Sequence, residues 1–129
     1  MNEKRIEIRW RDMDAYNHVN NAVYLTYLEE VRDDWLTGLM GARGVPIDYV
    51  VVHIGLDFKR ELSQKDEEVI VRCSLEKLGN SSIHTFEEIA TPDGQTAAEA
   101  RAVLVVRDRK TGRSRPITDA ERKVLQETG

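Results

Sequence analysis

The feature that most constrains the fold of this chain is a helical stretch that is apolar on most of its surface. It begins at Asn20 or Asn21 and runs to about Leu39. Its apolar stripe repeats at the i+3 and i+4 spacing of one helix face and consists of Tyr24, Leu28, Val31, Trp35 and Leu39. Further apolar residues extend this surface nearly all round in the first half: Ala22, Val23, Leu25 and Tyr27. We therefore expect other elements to wrap this helix.

Both ends of the helix carry recognisable signals. Asn20 and Asn21 are the candidate N-caps, because an asparagine side chain accepts hydrogen bonds from the first free backbone N–H groups. Glycines that favour helix termination follow and predict the end: Gly38, Gly41 and Gly44. The charged residues Arg32, Asp33 and Asp34 lie off the apolar stripe.

Most of the remaining chain alternates with the period of β-strands. Before the helix, Ile6, Ile8 and Trp10 alternate with charged residues, which predicts a half-buried strand over residues 5–10. After Pro46, four further strands are predicted over residues 50–58, 69–75, 83–90 and 96–108. Short turns join these segments, which favours an antiparallel meander. Residues 119–126 are predicted to form a short polar helix.

One long helix and about five antiparallel strands predict an α+β fold. Residues 1–129 contain no linker, repeat or low-complexity tract, so we expect a single domain with the sheet wrapped around the helix. A single curled sheet leaves two edge strands open, and proteins usually pair or cover such edges. We therefore expect a homodimer at least, with a homotetramer built as a dimer of dimers left open.

Composition excludes several classes of function. The net charge of −4 argues against general nucleic-acid binding. The first residues lack the apolar segment of a secretory signal, and no apolar run is long enough for a membrane span. Cys73 is the one cysteine, so no internal disulfide is possible, which fits a cytoplasmic location. It alternates in phase with Val71 and Leu75, which predicts a buried side chain. The three histidines lack metal-ligand spacing, so no metal is expected.

The segment from Arg11 to Tyr24 contains the densest set of chemically useful side chains. It leads from the first strand into the helix, whose N-terminus offers free N–H groups and the positive end of the dipole. Such amides can polarise a carbonyl, while Asp14 could attack that carbonyl or deprotonate a water. These are the parts needed for acyl transfer or hydrolysis. Ordinary helix capping and turn formation also explain the same residue types.

The same segment resembles a known family. The run D-M-D-A-Y-N-H-V-N-N-A-V-Y, followed by L-x-Y-L-E-E-V-R, resembles the helix entry of hot-dog-fold acyl thioesterases. The similar groups are the 4-hydroxybenzoyl-CoA thioesterase-like enzymes and the acyl-carrier-protein thioesterases with an H-V-N-N-x-x-Y signature. Further similarities occur over residues 51–58, 66–68, 78–82 and 93–105. The resemblance implies a hot-dog fold and hydrolysis of an acyl-CoA or acyl-carrier-protein thioester, without a cofactor.

This resemblance assigns roles to three residues. Asp14 corresponds to the nucleophile or general base, and the backbone N–H of Asn21 would polarise the thioester carbonyl. His18 would orient a water or Asp14, or cap the helix. The loop over residues 15–18 departs from the Pro/Gly-containing, apolar loop of the benzoyl-type relatives.

Five further residues are candidate substrate contacts, each with a plainer alternative. Tyr24 is predicted to be either core or a wall of the acyl pocket. His53 is structural, or it contacts ligand, since the resemblance implies that its strand lines the dimer interface and the pocket. Arg60 is a solvated strand end or a contact for coenzyme A phosphates. Ser81 and Ser82 form a hairpin turn, which the resemblance implies to lie near the pantetheine arm.

Two other functions remain open on the same scaffold. A non-catalytic acyl-CoA-binding or sensing protein would use the pocket without turnover, since fold alone does not dictate function. A hydratase or dehydratase would share the thioester substrate and require an acid–base pair suited to the β-carbon.

Overall fold

Five strands and one long helix make up most of the molecule, and the predicted α+β class is confirmed. The computed structural model describes all residues from Met1 to Gly129. The strands are β1 (Asn2–Glu7), β2 (Tyr49–Phe58), β3 (Glu68–Leu78), β4 (Ser82–Ala90) and β5 (Thr96–Val106). The helices are α1 (Asn21–Asp33), α2 (Met40–Ala42) and α3 (Asp119–Thr128). None of them has the length and apolar character of a membrane span.

The five strands form one antiparallel sheet in the order β1-β3-β4-β5-β2. The predicted meander is confirmed for β3, β4 and β5 but is wrong for β2, which pairs with β5 instead of β3. The link between Phe58 and Glu68 therefore crosses the sheet from the edge strand β2 to β3, the neighbour of the opposite edge strand β1, and is anchored by the fully buried Leu62. Alternation predicts where strands occur, but it does not determine which strands pair. As a result, β1 and β2 are the two open edges.

The long helix continues further than its glycines predict. After α1, residues Asp34–Leu39 adopt π-helical hydrogen bonding, and α2 completes the helix at Ala42. Gly38 and Gly41 lie within this helical segment, whereas Gly44 ends it with a φ of +82°, a conformation that glycine adopts without steric cost. At the other end Asn20 is the N-cap, because its side-chain oxygen accepts a 2.8 Å hydrogen bond from the Ala22 N–H.

The sheet covers one face of α1 and leaves the opposite face open. The face toward the sheet is buried and includes Tyr24, Tyr27, Leu28 and Val31. Ala22 is exposed and Leu25 is 39% exposed, so the expectation that the helix is covered on most sides is wrong for the single chain. A five-stranded sheet has only one concave face, and no other segment of the chain packs against the far side of α1.

The first strand also differs from its prediction. It covers Asn2–Glu7, and Ile6 and Ile8 are buried as the alternation predicts. Trp10 instead begins a 3₁₀ turn, Trp10–Asp12, and its side chain is 79% exposed. The strand ends because the Arg9 N–H donates to the Asp12 carboxylate at 2.9 Å, which turns the backbone out of the sheet.

The core between helix and sheet contains one ion pair that the stripe pattern did not predict. Arg32 is buried, and its Nε lies 3.3 Å from Oε2 of Glu87, a β4 residue with no exposed surface. The interpretation of Arg32 as a residue off the buried stripe is therefore wrong. Cys73 is buried beside this pair as predicted, and burial raises the pKa of its thiol, so it remains neutral.

Candidate active site

Asp14 lies in a small, internally hydrogen-bonded hairpin between the first 3₁₀ turn and α1. Met13 and Val19 pair across its base as an isolated antiparallel bridge. Above them the Asp14 N–H donates to the His18 carbonyl at 2.8 Å, and the Asn17 N–H donates to the Asp14 carbonyl at 3.1 Å. Asn17 has a φ of +62°, which asparagine tolerates better than most residues. The backbone around Asp14 is therefore well defined.

The two oxygens of the Asp14 carboxylate have different surroundings. Oδ1 accepts backbone N–H hydrogen bonds from Tyr16 at 2.8 Å and from His18 at 3.3 Å. No group of the chain donates to Oδ2, and the side chain is half-buried. One oxygen is thus held in place while the other is available to a substrate or a water.

The N-terminus of α1 opens into the same groove as Asp14. Asn21 is the first residue of α1, and its backbone N–H has no acceptor within the chain. Asp14 and Asn21 both line an open groove of about 480 Å³. A free amide at a helix N-terminus carries the positive end of the helix dipole. The groove therefore combines a carboxylate with a group that can polarise a carbonyl.

A second carboxylate, that of Glu61, contacts His18 at this groove. The His18 Nε2 atom lies 3.2 Å from Oε2 of Glu61, and both residues line the groove. No sequence pattern points to Glu61, because it lies in the crossover link after β2 and belongs to no motif adjacent to Asp14. Only the sheet order brings it to the helix entry.

The apolar wall of the groove comes from an aromatic pair. The rings of Tyr24 and Phe58 meet edge-to-face with centroids 5.0 Å apart. Burial raises the pKa of Tyr24, whose hydroxyl donates to the Arg60 carbonyl at 3.1 Å. Arg60 also lines the groove, and its guanidinium forms a 3.0 Å ion pair with Asp66.

Comparison with known proteins identifies the family to which this geometry belongs. The family model of the thioesterase-like superfamily matches residues 8–125. The chain belongs to the thioesterase-like superfamily. It is 30% identical over 128 residues to the long-chain acyl-CoA thioesterase FadM of Escherichia coli (strain K12), with 97% of each sequence covered. The predicted thioesterase family is thereby confirmed.

Solved structures confirm the hot-dog fold of this thioesterase-like chain. A thioesterase from Thermus thermophilus, crystallised with coenzyme A and zinc, is 29% identical. It aligns over 98% of this chain and 92% of its own, with a TM-score of 0.82. A 1,4-dihydroxy-2-naphthoyl-CoA thioesterase from Synechocystis is 13% identical and shares the fold, with a TM-score of 0.81 over 98% of this chain and 96% of its own.

Not all predicted site residues of this superfamily member lie in the groove. Asp14, His18, Asn21, Tyr24 and Arg60 line it together. The others are elsewhere on the chain: His53, Ser81 and Ser82. No cluster of three or more His, Cys, Asp or Glu side chains is arranged to hold a metal ion.

The three outlying residues occupy the edge strand and the far end of the sheet. His53 is exposed on β2, next to a break in its pairing with β5. Ser82 begins β4, where its hydroxyl lies 3.1 Å from Nε2 of His84. Ser82 pairs with Val105, whereas Phe58 pairs with Ala98, so the serine turn lies roughly 23 Å along β5 from the groove.

Proposed function

We propose that this chain hydrolyses acyl-CoA thioesters to a free acid and coenzyme A. The observation that carries this proposal is the Asp14 carboxylate, fixed through Oδ1 by two backbone amides and free at Oδ2, in one groove with the unpaired Asn21 amide. Family membership and the similarity to FadM support the same reaction class. An acyl-carrier-protein thioester presents the same reacting bond and is the alternative substrate.

In the proposed reaction the Asn21 N–H donates to the thioester carbonyl oxygen and stabilises the negative charge that develops there. Asp14 acts by one of two routes. As a nucleophile it forms an acyl–Asp14 anhydride and releases coenzyme A thiolate, and water then hydrolyses the anhydride. As a general base it removes a proton from a water that attacks the carbonyl directly. Each route consumes one water and yields the acid and the thiol.

The remaining groove residues would position the reactants. His18, held by Glu61, would orient the attacking water or the Asp14 carboxylate. Tyr24 and Phe58 would contact the first carbons of the acyl chain. Arg60 would bind the phosphates of coenzyme A only if its ion pair with Asp66 opens or is shared.

The open β2 edge supports a homodimer as the functional unit. β2 runs for ten residues along the sheet edge and carries exposed apolar side chains at Val50, Val51, Val52 and Phe58. Long, apolar edge strands in soluble proteins are usually paired with another strand. Phe58 belongs both to this edge and to the groove wall, so a second copy on β2 would also close the groove.

Antiparallel pairing of two β2 strands would bring the outlying residues to the site. It places the Tyr49 end of one copy beside the Phe58 end of the other, and the Ser81–Ser82 turn lies at the Tyr49 end. The serine turn of a second copy would then approach the groove of the first. His53, near the middle of β2, would lie near the two-fold axis. In this arrangement His53, Ser81 and Ser82 would contribute substrate contacts that a single chain keeps apart.

The hydrolase function is tested by measuring thiol release from a panel of acyl-CoAs. The panel includes short, medium, long and aromatic acyl groups, with acyl-carrier-protein thioesters as a second series. We expect turnover of at least one acyl-CoA. Long-chain acyl-CoAs are tested first, because FadM is a long-chain acyl-CoA thioesterase. A chain that binds acyl-CoA without turnover would be a sensor instead. Conversion of an enoyl-CoA to a hydroxyacyl-CoA, with no thiol released, would indicate a hydratase.

A lysine placed on the β2 edge is expected to dissociate the dimer. Val52 is 57% exposed in one chain, and Val52→Lys would place a charge inside the proposed interface. Sedimentation velocity should show a dimer or a tetramer for the wild type and a shift toward monomer for the variant. Glu7→Lys on the opposite edge, β1, is the matched control and should leave the assembly unchanged. Identical sedimentation of both variants and the wild type would contradict an interface on β2.

A further inference from the structure

Asp12 is a buried carboxylate next to the site that no step of the proposed reaction uses. Only 1% of its surface is exposed, although it lies two residues before Asp14. Neither Asp12 nor its partner Tyr27 lines the Asp14 groove, so neither can touch a substrate there. Burying a charge is costly unless it is fully hydrogen-bonded, so such a residue requires a physical explanation.

Both oxygens of Asp12 are fully engaged. Oδ2 accepts from the Arg9 N–H at 2.9 Å and from the Tyr27 hydroxyl at 2.8 Å. Oδ1 accepts from Nε and Nη2 of Arg9 at 3.2 Å and 2.9 Å. Burial alone would raise the pKa of Asp12, but these hydrogen bonds outweigh it and lower the pKa. The group is therefore an ionised, four-bonded anchor between the 3₁₀ turn and the buried face of α1.

The backbone of Asp12 connects this anchor to both reacting groups. Its carbonyl accepts from the N–H of Asn20, the N-cap of α1, at 2.9 Å. This hydrogen bond is adjacent to the Met13–Val19 bridge that forms the base of the Asp14 hairpin. The carboxylate fixes Asp12 against α1, and the carbonyl fixes the position at which α1 begins. Movement of Asp12 would therefore shift Asp14 relative to the Asn21 amide.

We infer that Asp12, held by Arg9 and Tyr27, is a positioning residue that sets the distance between the Asp14 carboxylate and the N-terminus of α1. The inference rests on the proposed roles of Asp14 and Asn21. Displacing a catalytic group by about 1 Å can lower the rate 10²-fold, so we expect loss of the Asp12 contacts to lower kcat. Substrate contacts are not altered, and KM should remain nearly constant.

Tyr27→Phe and Asp12→Asn test this inference at two strengths. Tyr27→Phe removes one hydrogen bond from Asp12 and keeps the ring in the core, and we expect kcat to fall about 10-fold. Asp12→Asn removes the charge, and we expect a fall of about 100-fold. KM should change by less than about twofold in both. Thr85→Val is the matched control, because it also removes one hydroxyl hydrogen bond from a buried carboxylate, that of Glu87 at 2.8 Å, but lies outside the groove, and it should match the wild type.

A spectroscopic measurement separates positioning from simple loss of stability. The amide N–H groups of Tyr16 and His18 both donate to Asp14, so their NMR resonances report on its placement. We expect these resonances to shift in folded Tyr27→Phe and to stay unchanged in Thr85→Val. Unmoved resonances together with wild-type kcat in Tyr27→Phe would overturn the inference. If the resonances shift in Tyr27→Phe but the wild type hydrolyses no thioester, the proposed function is overturned. The structural role of Asp12 in placing Asp14 would still be supported.

Discussion

Asp14→Asn is expected to lower kcat for thioester hydrolysis by about 10³-fold, with the fold unchanged. The asparagine carbonyl oxygen can still accept the two backbone hydrogen bonds that Tyr16 and His18 donate to Oδ1. The hairpin therefore keeps its shape. The amide cannot form an anhydride, and it is too weak a base to deprotonate water, so both proposed routes fail.

Thiol release at saturating substrate, compared between the wild type and Asp14→Asn, measures this effect. Asp119→Asn is the matched control: it makes the same chemical change at an exposed residue of α3 that does not line the groove, and it should retain full activity. Circular dichroism and sedimentation should show that both variants fold and assemble like the wild type.

Turnover of Asp14→Asn within about threefold of the wild type would contradict the assignment of Asp14. Glu61 would then be the next residue to test, because it is the other carboxylate lining the groove and contacts His18. Equal losses in Asp14→Asn and Asp119→Asn would indicate a general effect of charge instead of a reacting group.

The parts of this structure that sequence predicts are those governed by local periodicity. The strands β3, β4 and β5 alternate and are joined by short turns, so their pairing as hairpins was predictable. The pairing of β2 with β5 was not, because the crossover that follows Phe58 depends on where Leu62 is buried. The π-helical turn over Asp34–Leu39 likewise has no local signal, since the apolar stripe continues through it.

The same distinction applies to the site. Asp14 and Asn21 were predictable together because one short loop joins them. Glu61 reaches His18 only through the order of strands in the sheet, and no spacing rule could have found it. Arg32 did carry an overlooked signal, because it follows Leu28 by one helical turn and therefore shares the face that packs on the sheet.

Arg32→Met is expected to destabilise the chain by about 3–5 kcal/mol, because it leaves Glu87 buried without a cation. Oε2 of Glu87 would retain the hydrogen bond from Thr85 at 2.8 Å and the weak one from Cys73. Oε1 has no hydrogen-bond partner even in the wild type. Methionine fills much of the volume of the arginine stem, so the loss reports on the charge more than on packing.

Urea denaturation, followed by circular dichroism, measures this loss. Arg72→Met is the matched control, because Arg72 pairs with Glu3 and Glu88 on a partly exposed surface. Exposed ion pairs of this kind contribute about 1 kcal/mol or less. We therefore expect a clear separation of the two midpoints at equal m-values. Equal, small losses in both variants would show that Glu87 already carries a proton in the native state.

The pH dependence of Arg32→Met follows from the direction of the Glu87 pKa shift. Burial raises this pKa, and Arg32 opposes the rise, so removing Arg32 should raise it further. A carboxyl group with a higher pKa in the folded state binds its proton more tightly there. The stability that this proton contributes is fully present below the pKa of the unfolded state. It is lost as the pH rises through the pKa of the folded state. The deficit relative to the wild type should therefore be smaller at pH 5 than at pH 8.

A double variant decides whether the ion pair contributes net stability or only avoids a penalty. Arg32→Met combined with Glu87→Leu replaces both charges with apolar side chains, and such replacements are often neutral or stabilising. We expect the double variant to recover most of the stability that Arg32→Met loses. That recovery would mean that the Arg32–Glu87 ion pair serves a purpose other than stability, such as fixing the orientation of α1 on β4. A double variant as unstable as Arg32→Met would instead show that packing around the arginine stem, and not the uncompensated carboxylate, accounts for the loss.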